Sequence, residues 1–208
     1  MTIDDIATLI KTSVLEALNS KMRVMIAITG PPAAGKSTVA ERLVEMFQDN
    51  EKAALVPMDG FHLDNATLRK NGTLDRKGAP ETFDLVGFTN MIERLSNGED
   101  ATVPHFDRSR DCVGPHGAEI TSKDRILVFE GNYLLLDQEG WRDLSRYWDF
   151  SAYLSVSMDT LKERLIQRWL NENHSYAEAE RRVLNNDLPN AAHILSNKMK
   201  ASLDIETE

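Results

Sequence analysis

Residues suited to handling phosphate stand at intervals along this chain. Gly30-Pro31-Pro32-Ala33-Ala34-Gly35-Lys36-Ser37, followed by Thr38, has the form G-x-x-x-x-G-K-S, in which backbone N–H groups cradle phosphate oxygens. The two glycines permit the tight turn that makes those groups converge. Lys36 is placed to reach β- and γ-phosphates, and the Ser37 hydroxyl to ligate Mg²⁺. The helix that follows adds its positive end. Asp59 ends a short apolar run and precedes Gly60. A carboxylate there can accept the proton of an attacking hydroxyl or help to hold a metal. Glu130 ends a second apolar run, at the acidic position expected to face the phosphate loop and hold Mg²⁺ directly or through water. Arg164 and Arg168 lie one helical turn apart, a spacing suited to clamping phosphate charge. A turn aspartate, a surface glutamate and a solvated arginine face are the plain alternatives for these positions.

These side chains need strands that end together. Val24–Ile28 reads as a buried strand, and Val39, Leu43 and Phe47 mark one face of a helix near 36–49. Further strands are expected at 53–58, 125–130 and 150–156. Strand and helix alternate, which predicts an α/β fold with parallel strands and right-handed crossovers. Ligands of such sheets bind beyond the carboxyl ends of the strands, which places Asp59 and Glu130 on the edge that holds the phosphate loop. An amphipathic helix over 3–18 precedes the first strand and is expected to pack on the domain. A second copy of the chain as its partner stays open. Asp84 is the expected N-cap of a helix that ends at Asn97-Gly98. Thr160/Glu163 and Ser175/Glu178 have capping-box spacing, and the helices they open form a lid candidate near 158–188. A short strand near 191–195 and a polar tail complete the expected order.

Two polar segments, 60–84 and 101–122, are candidates for holding a small acceptor. The first carries Arg69, Lys70, Arg76 and Lys77, a basic cluster suited to an anion or to solvent. The second carries Phe106, Asp107 and Arg108, one aromatic face among charges. His105 and His116 have no metal-ligand spacing.

Composition narrows the classes. The chain has 208 residues and a net charge of −9, a size suited to one domain and a charge that argues against nucleic acid or an anionic membrane as partner. Cys112 is the one cysteine, so no intramolecular disulfide forms. No apolar run approaches the ~20 residues of a membrane span, and a cytoplasmic location is expected.

With these residues in view, the chain resembles the phosphoribulokinase and uridine kinase superfamily of P-loop kinases. It is most similar to the branch near pantothenate kinase, which includes proteins bearing the name fructose-transport-system kinase. The resemblance spans about Val24 to Asn190. It rests on Gly30–Ser37, Met58–His62, Arg76–Asp84, Pro104–Ser109, Glu130–Leu136, Arg164 with Arg168-Trp169, and Asn186-Asp187. It implies a three-layer P-loop fold, with a mostly parallel sheet and a helical lid, in a single domain over 1–208. It implies an ATP- and Mg²⁺-dependent phosphotransferase acting on a small hydroxyl-bearing molecule. Asp59 would be the general base, Glu130 a metal or substrate ligand, and Arg164 and Arg168 the lid arginines. His62, Arg76, Asp84, Phe106, Asp107 and Arg108 would lie along the acceptor path. Gly78 stands where uridine kinases carry an aspartate, and Phe106 where they carry a tyrosine, which points away from a nucleoside acceptor. The alternatives are uridine kinase- or pantothenate kinase-type activity, a GTPase, or a regulatory nucleotide-binding subunit.

Overall fold

The structure, a computed structural model, describes residues 1–18, 21–48, 52–114 and 116–207. In chain order the elements are α1 (Ile3–Leu18), β1 (Val24–Thr29), α2 (Lys36–Gln48), β2 (Ala53–Pro57), α3 (Asn65–Asn71), α4 (Leu85–Ser96), β3 (Ala101–Val103), β4 (Phe106–Asp107), β5 (Cys112–Val113), β6 (Ala118–Ile120), β7 (Ile126–Gly131), β8 (Phe150–Ser155), α5 (Met158–Asn171), α6 (Tyr176–Arg182), α7 (Leu188–Ser196) and β9 (Leu203–Glu206). The main sheet has the order β2-β7-β1-β8-β9, and every pair in it is parallel. This is an α/β fold built on an all-parallel main sheet.

The two central strands, β1 and β7, are buried along their whole length, as a parallel sheet covered on both faces requires. Their side chains alternate between two cores. Val24, Ile26 and Ile28 face α1, α2 and α5, while Met25 and Ala27 face α4 and the aromatic group of Phe88, Tyr133 and Trp141. The α1 helix packs as expected, with Ile6, Ile10 and Val14 in the core and an Asp4–Arg42 ion pair of 2.7 Å tying it to α2. Expected residue Asp49 of α2, and Pro115 of the second polar segment, lie outside the described residues.

Four expectations are corrected. Residues 191–195 form no strand but lie in α7, with Pro189 in its first turn. The fifth strand is β9, inside the expected polar tail, with Ala152 opposite Leu203 and Leu154 opposite Ile205. Ser157, not Thr160, caps α5, its hydroxyl accepting from the Thr160 N–H at 3.1 Å. The polar segments are also less irregular than expected. Asp64 caps α3, and two small antiparallel ladders, β3/β6 and β4/β5, nest within 101–122.

Candidate active site

Sheet register aligns the groups. Glu130 is opposite Ile28 of β1 and Pro57 of β2, so the phosphate loop, Asp59 and Glu130 all leave one edge of the sheet. The loop begins at Gly30, whose φ is 148°. A Cβ there would lie 2.4 Å from the Leu154 carbonyl oxygen, so β8 packs against the bare backbone. Gly35 has φ 88° and Ala33 has φ 62°. An alanine in the left-handed region is strained, and it sits at the crown of the anion loop. Lys36, Ser37 and Thr38 open α2, so their N–H groups have no carbonyl one turn earlier in the helix. That loop and helix end form an anion cradle.

Lys36 is 7% exposed, and its ammonium donates to the Pro31 carbonyl at 2.8 Å. Burial lowers its pKa to about 8, against the attraction of Glu130 and Asp59. Glu130 is 6% exposed. Burial pushes its carboxyl up to about 7, the Asp59 charge adding to this, while Lys36, Arg108 and a hydrogen bond with Ser37 oppose it. Both groups are thus drawn towards neutrality, which an arriving dication and polyphosphate would reverse. Hydroxyl and carboxylate oxygens side by side are the hard donors Mg²⁺ takes, with its remaining positions left for phosphate and water; the residues fit that ion. Among the described residues no three His, Cys, Asp or Glu gather as a metal cluster.

Asp59 lies in the helical turn Met58–Phe61 after β2. Its Oδ2 accepts from Arg108 at 2.6 Å. The second acceptor segment is held close by Gly60, where a Cβ would stand 2.0 Å from the Pro104 carbonyl oxygen. His62 is sandwiched between Phe83 at 4.1 Å and Phe106 at 4.6 Å, and its Nδ1 is 2.8 Å from the Asp59 carbonyl oxygen. Burial lowers its pKa, so it serves as a neutral stacking wall. Lys77 lies 5.2 Å from the Phe106 ring centre and pairs with Asp111 at 2.8 Å.

The lid candidate approaches from α5. Arg164 donates to the Ala33 carbonyl at 3.3 Å, on the strained residue of the loop. Arg168 pairs with Glu172 at 3.4 Å, and its charge acts on Lys36. The Trp169 indole donates to Asp187 at 2.7 Å, with Arg182 over the ring at 4.7 Å. Asp187 closes a π-helical turn, Val183–Asp187, between α6 and α7. The Ser175/Glu178 capping box is present.

The structure therefore gathers Lys36, Ser37, Asp59, Glu130 and Arg108, with His62 and Phe106 beside them. Three expected acceptor residues are engaged elsewhere. Asp84 caps α4 through the Gly87 N–H at 2.9 Å. Asp107 accepts from the backbone and hydroxyl of Ser109 and organises a turn. Arg76 pairs with Glu81 at 2.5 Å and lines a separate polar cleft with Gln138, Asn186 and His193. Sequence reasoning did not find the links between segments: the Asn186 amide donates to the Lys77 carbonyl at 3.0 Å, and the Tyr133 hydroxyl to the Gly78 carbonyl at 2.5 Å. The motif signals at Asn186 and Gly78 were visible, but not the contacts they make.

Residues 25–203 match the sequence profile of the Phosphoribulokinase / Uridine kinase family. The chain is 34% identical over 197 residues to “Uncharacterized protein YggC” of Escherichia coli (strain K12), covering 92% of this chain and 81% of that one. It is 33% identical over 151 residues to a pantothenate kinase of Lactococcus lactis subsp. lactis (strain IL1403), covering 70% of this chain and 47% of that one. The crystal structure of a “putative fructose transport system kinase” from Silicibacter sp. TM1040 superposes with a TM-score of 0.90 at 42% identity, covering 99% of both chains. No helix among the described residues is long and apolar enough to cross a membrane.

Proposed function

Because the chain belongs to the Phosphoribulokinase / Uridine kinase family of P-loop kinases, we propose that its site moves the γ-phosphoryl group of ATP to a hydroxyl of a small molecule, a sugar or other small alcohol. We read residues 1–208 as one kinase domain with a lid over 158–188. The observation that carries the proposal is the convergence of Lys36, Glu130 and Asp59, whose charges act on one another at a single sheet edge.

In this reading the backbone N–H groups of the Gly30–Thr38 loop, Pro31 and Pro32 having none, hold the phosphates. Lys36 turns from the Pro31 carbonyl towards the γ-phosphate and regains full charge there. Ser37 and Glu130 would hold Mg²⁺, which would supply neutralisation of phosphate charge. Asp59 accepts the acceptor's proton and orients its oxygen in line with phosphorus. Arg164 and Arg168 cover charge spreading over the transferred group. Little covalent work falls to the protein, so positioning and electrostatics dominate.

The test is a panel of sugars, sugar acids, nucleosides, pantothenate and simple polyols, scored for ADP release above the acceptor-free background. The proposal expects at least one acceptor whose signal disappears with Lys36→Ala. ADP release that no acceptor raises would favour the regulatory nucleotide-binding reading.

A further inference from the structure

We infer that the acceptor carries a carboxylate or phosphate, which draws Arg108 off Asp59 and so makes Arg108 a specificity-determining residue. The inference rests on the reading that Asp59 receives the acceptor hydroxyl.

Arg108 sits at the tip of the β4/β5 hairpin, and its side chain is 49% exposed, against 23% for that of Asp59. It thus meets Asp59 from the solvent side, where an acceptor must approach. The hairpin is not free to swing away. Gly60 abuts Pro104, and Lys77 and Asn65 hold Asp111 of the hairpin from outside it. The neighbouring acids are engaged: Asp107 by Ser109 and Arg110, Asp111 by Lys77 and Asn65. Among the described residues, Asp59 is the one carboxylate paired with Arg108. The proposed base is therefore held by a cation whose charge also reaches Lys36 and Glu130.

A neutral hydroxyl exchanges poorly for a guanidinium on a carboxylate oxygen, because the charge-assisted bond is about twice as strong as a neutral one. An acceptor anion changes the exchange. Arg108 leaves one carboxylate for another anion that it can hold as a fork, and Asp59 Oδ2 opens to the hydroxyl. Asp59 and Arg108 start 2.6 Å apart, so one ligand that parts them and bonds to both need carry its hydroxyl and its anion only a few ångströms apart, at ordinary hydrogen-bond lengths. That is the spacing in hydroxy acids, sugar acids and short sugar phosphates. Phe106, with Lys77 over its ring, supplies the adjoining wall for the carbon chain.

The experiment compares ligands that differ only at one end. Ribitol, ribonate and ribitol 5-phosphate, with threitol and threonate as the shorter pair, are titrated calorimetrically into the full chain saturated with Mg²⁺ and a non-hydrolysable ATP analogue. At least one anion is expected to bind tenfold or more tightly than its neutral partner. Arg108→Gln should erase that ratio, and Arg108→Lys should restore part of it. The ribonate and ribitol 5-phosphate arms separate carboxylate from phosphate. Three results overturn the inference: neutral and anionic ligands binding alike, no anion binding, or an unchanged ratio in Arg108→Gln. Loss of ATP-analogue affinity in Arg108→Gln with the ratio intact would assign Arg108 to the nucleotide and also overturn it. Failure of the analogue to bind the unmodified chain would instead refute the kinase reading.

Discussion

Replacing Lys36 by methionine should make the protein more stable while abolishing nucleotide binding. The ammonium lies 7% exposed in a loop shaped for an anion, and burial lowers its pKa from 10.5 to about 8. That gap, converted at about 1.4 kcal/mol per pH unit, is a cost of about 3 kcal/mol for keeping the charged form. Methionine fills similar volume without the charge. It forfeits the hydrogen bond to the Pro31 carbonyl, worth about 1 kcal/mol net. The balance is a gain of about 2 kcal/mol, or about 4–8 °C in Tm for a chain of this length. The sign follows from a folded-state pKa below the unfolded one. The lysine's penalty is complete below about pH 8 and fades as pH rises towards 10.5. The gain should therefore be full at pH 6.5 and shrink above pH 8. Calorimetric melts of Lys36→Met and the unmodified protein at pH 6.5, 8 and 9.5, without nucleotide, measure it. A variant less stable at pH 6.5, or a difference that ignores pH, refutes the account of a buried charge held in the anion cradle.

Three further outcomes are expected. Asp59→Asn should bind ATP with unchanged Kd, by fluorescence titration, yet lower turnover with a working acceptor by ~10²–10⁴-fold, the usual range for a general base. The pH profile of kcat/KM for ATP should rise through about pH 7 as Glu130 ionises and fall above about pH 8 as Lys36 deprotonates; Glu130→Gln should remove the acid limb, and an acid limb that survives it counts against Glu130. Gly60→Ala would place a methyl group 2.0 Å from the Pro104 carbonyl oxygen, so it should cost ~1–3 kcal/mol by urea unfolding and raise KM for the acceptor with KM for ATP unchanged.

The legibility of this chain follows element size. β1 and β7 are continuous apolar runs buried on both faces, and the Gly30–Ser37 pattern sits directly between β1 and α2, so strand, loop and helix support one another. Asp59 and Glu130 were readable because one follows a strand and the other lies at the end of one, and both strands must finish on the same edge. The misassigned pieces are short. Ala191–Leu195 is an apolar run too brief for its period to separate strand from helix. The preceding Asn186-Asp187-Leu188-Pro189 has the residue types of a turn, yet a π-helical turn carries the chain through it into α7. β9 offers only Leu203 and Ile205 as apolar residues on an edge strand. The partners of charged residues were least legible. Arg76 turns to Glu81 within its own loop, while Arg108 reaches Asp59 because two loops dock through Gly60 and Pro104. The Arg108–Asp59 contact joins residues far apart in sequence, which no local pattern encodes.

The central claim is direct transfer from ATP to an alcohol oxygen prepared by Asp59. Phosphorus-31 NMR of ATP, Mg²⁺, enzyme and a working acceptor tests it most directly. A phosphomonoester resonance should grow in step with ADP, and Asp59→Asn should slow both together. ADP appearing with inorganic phosphate alone, or an ester forming equally fast in Asp59→Asn, would contradict it.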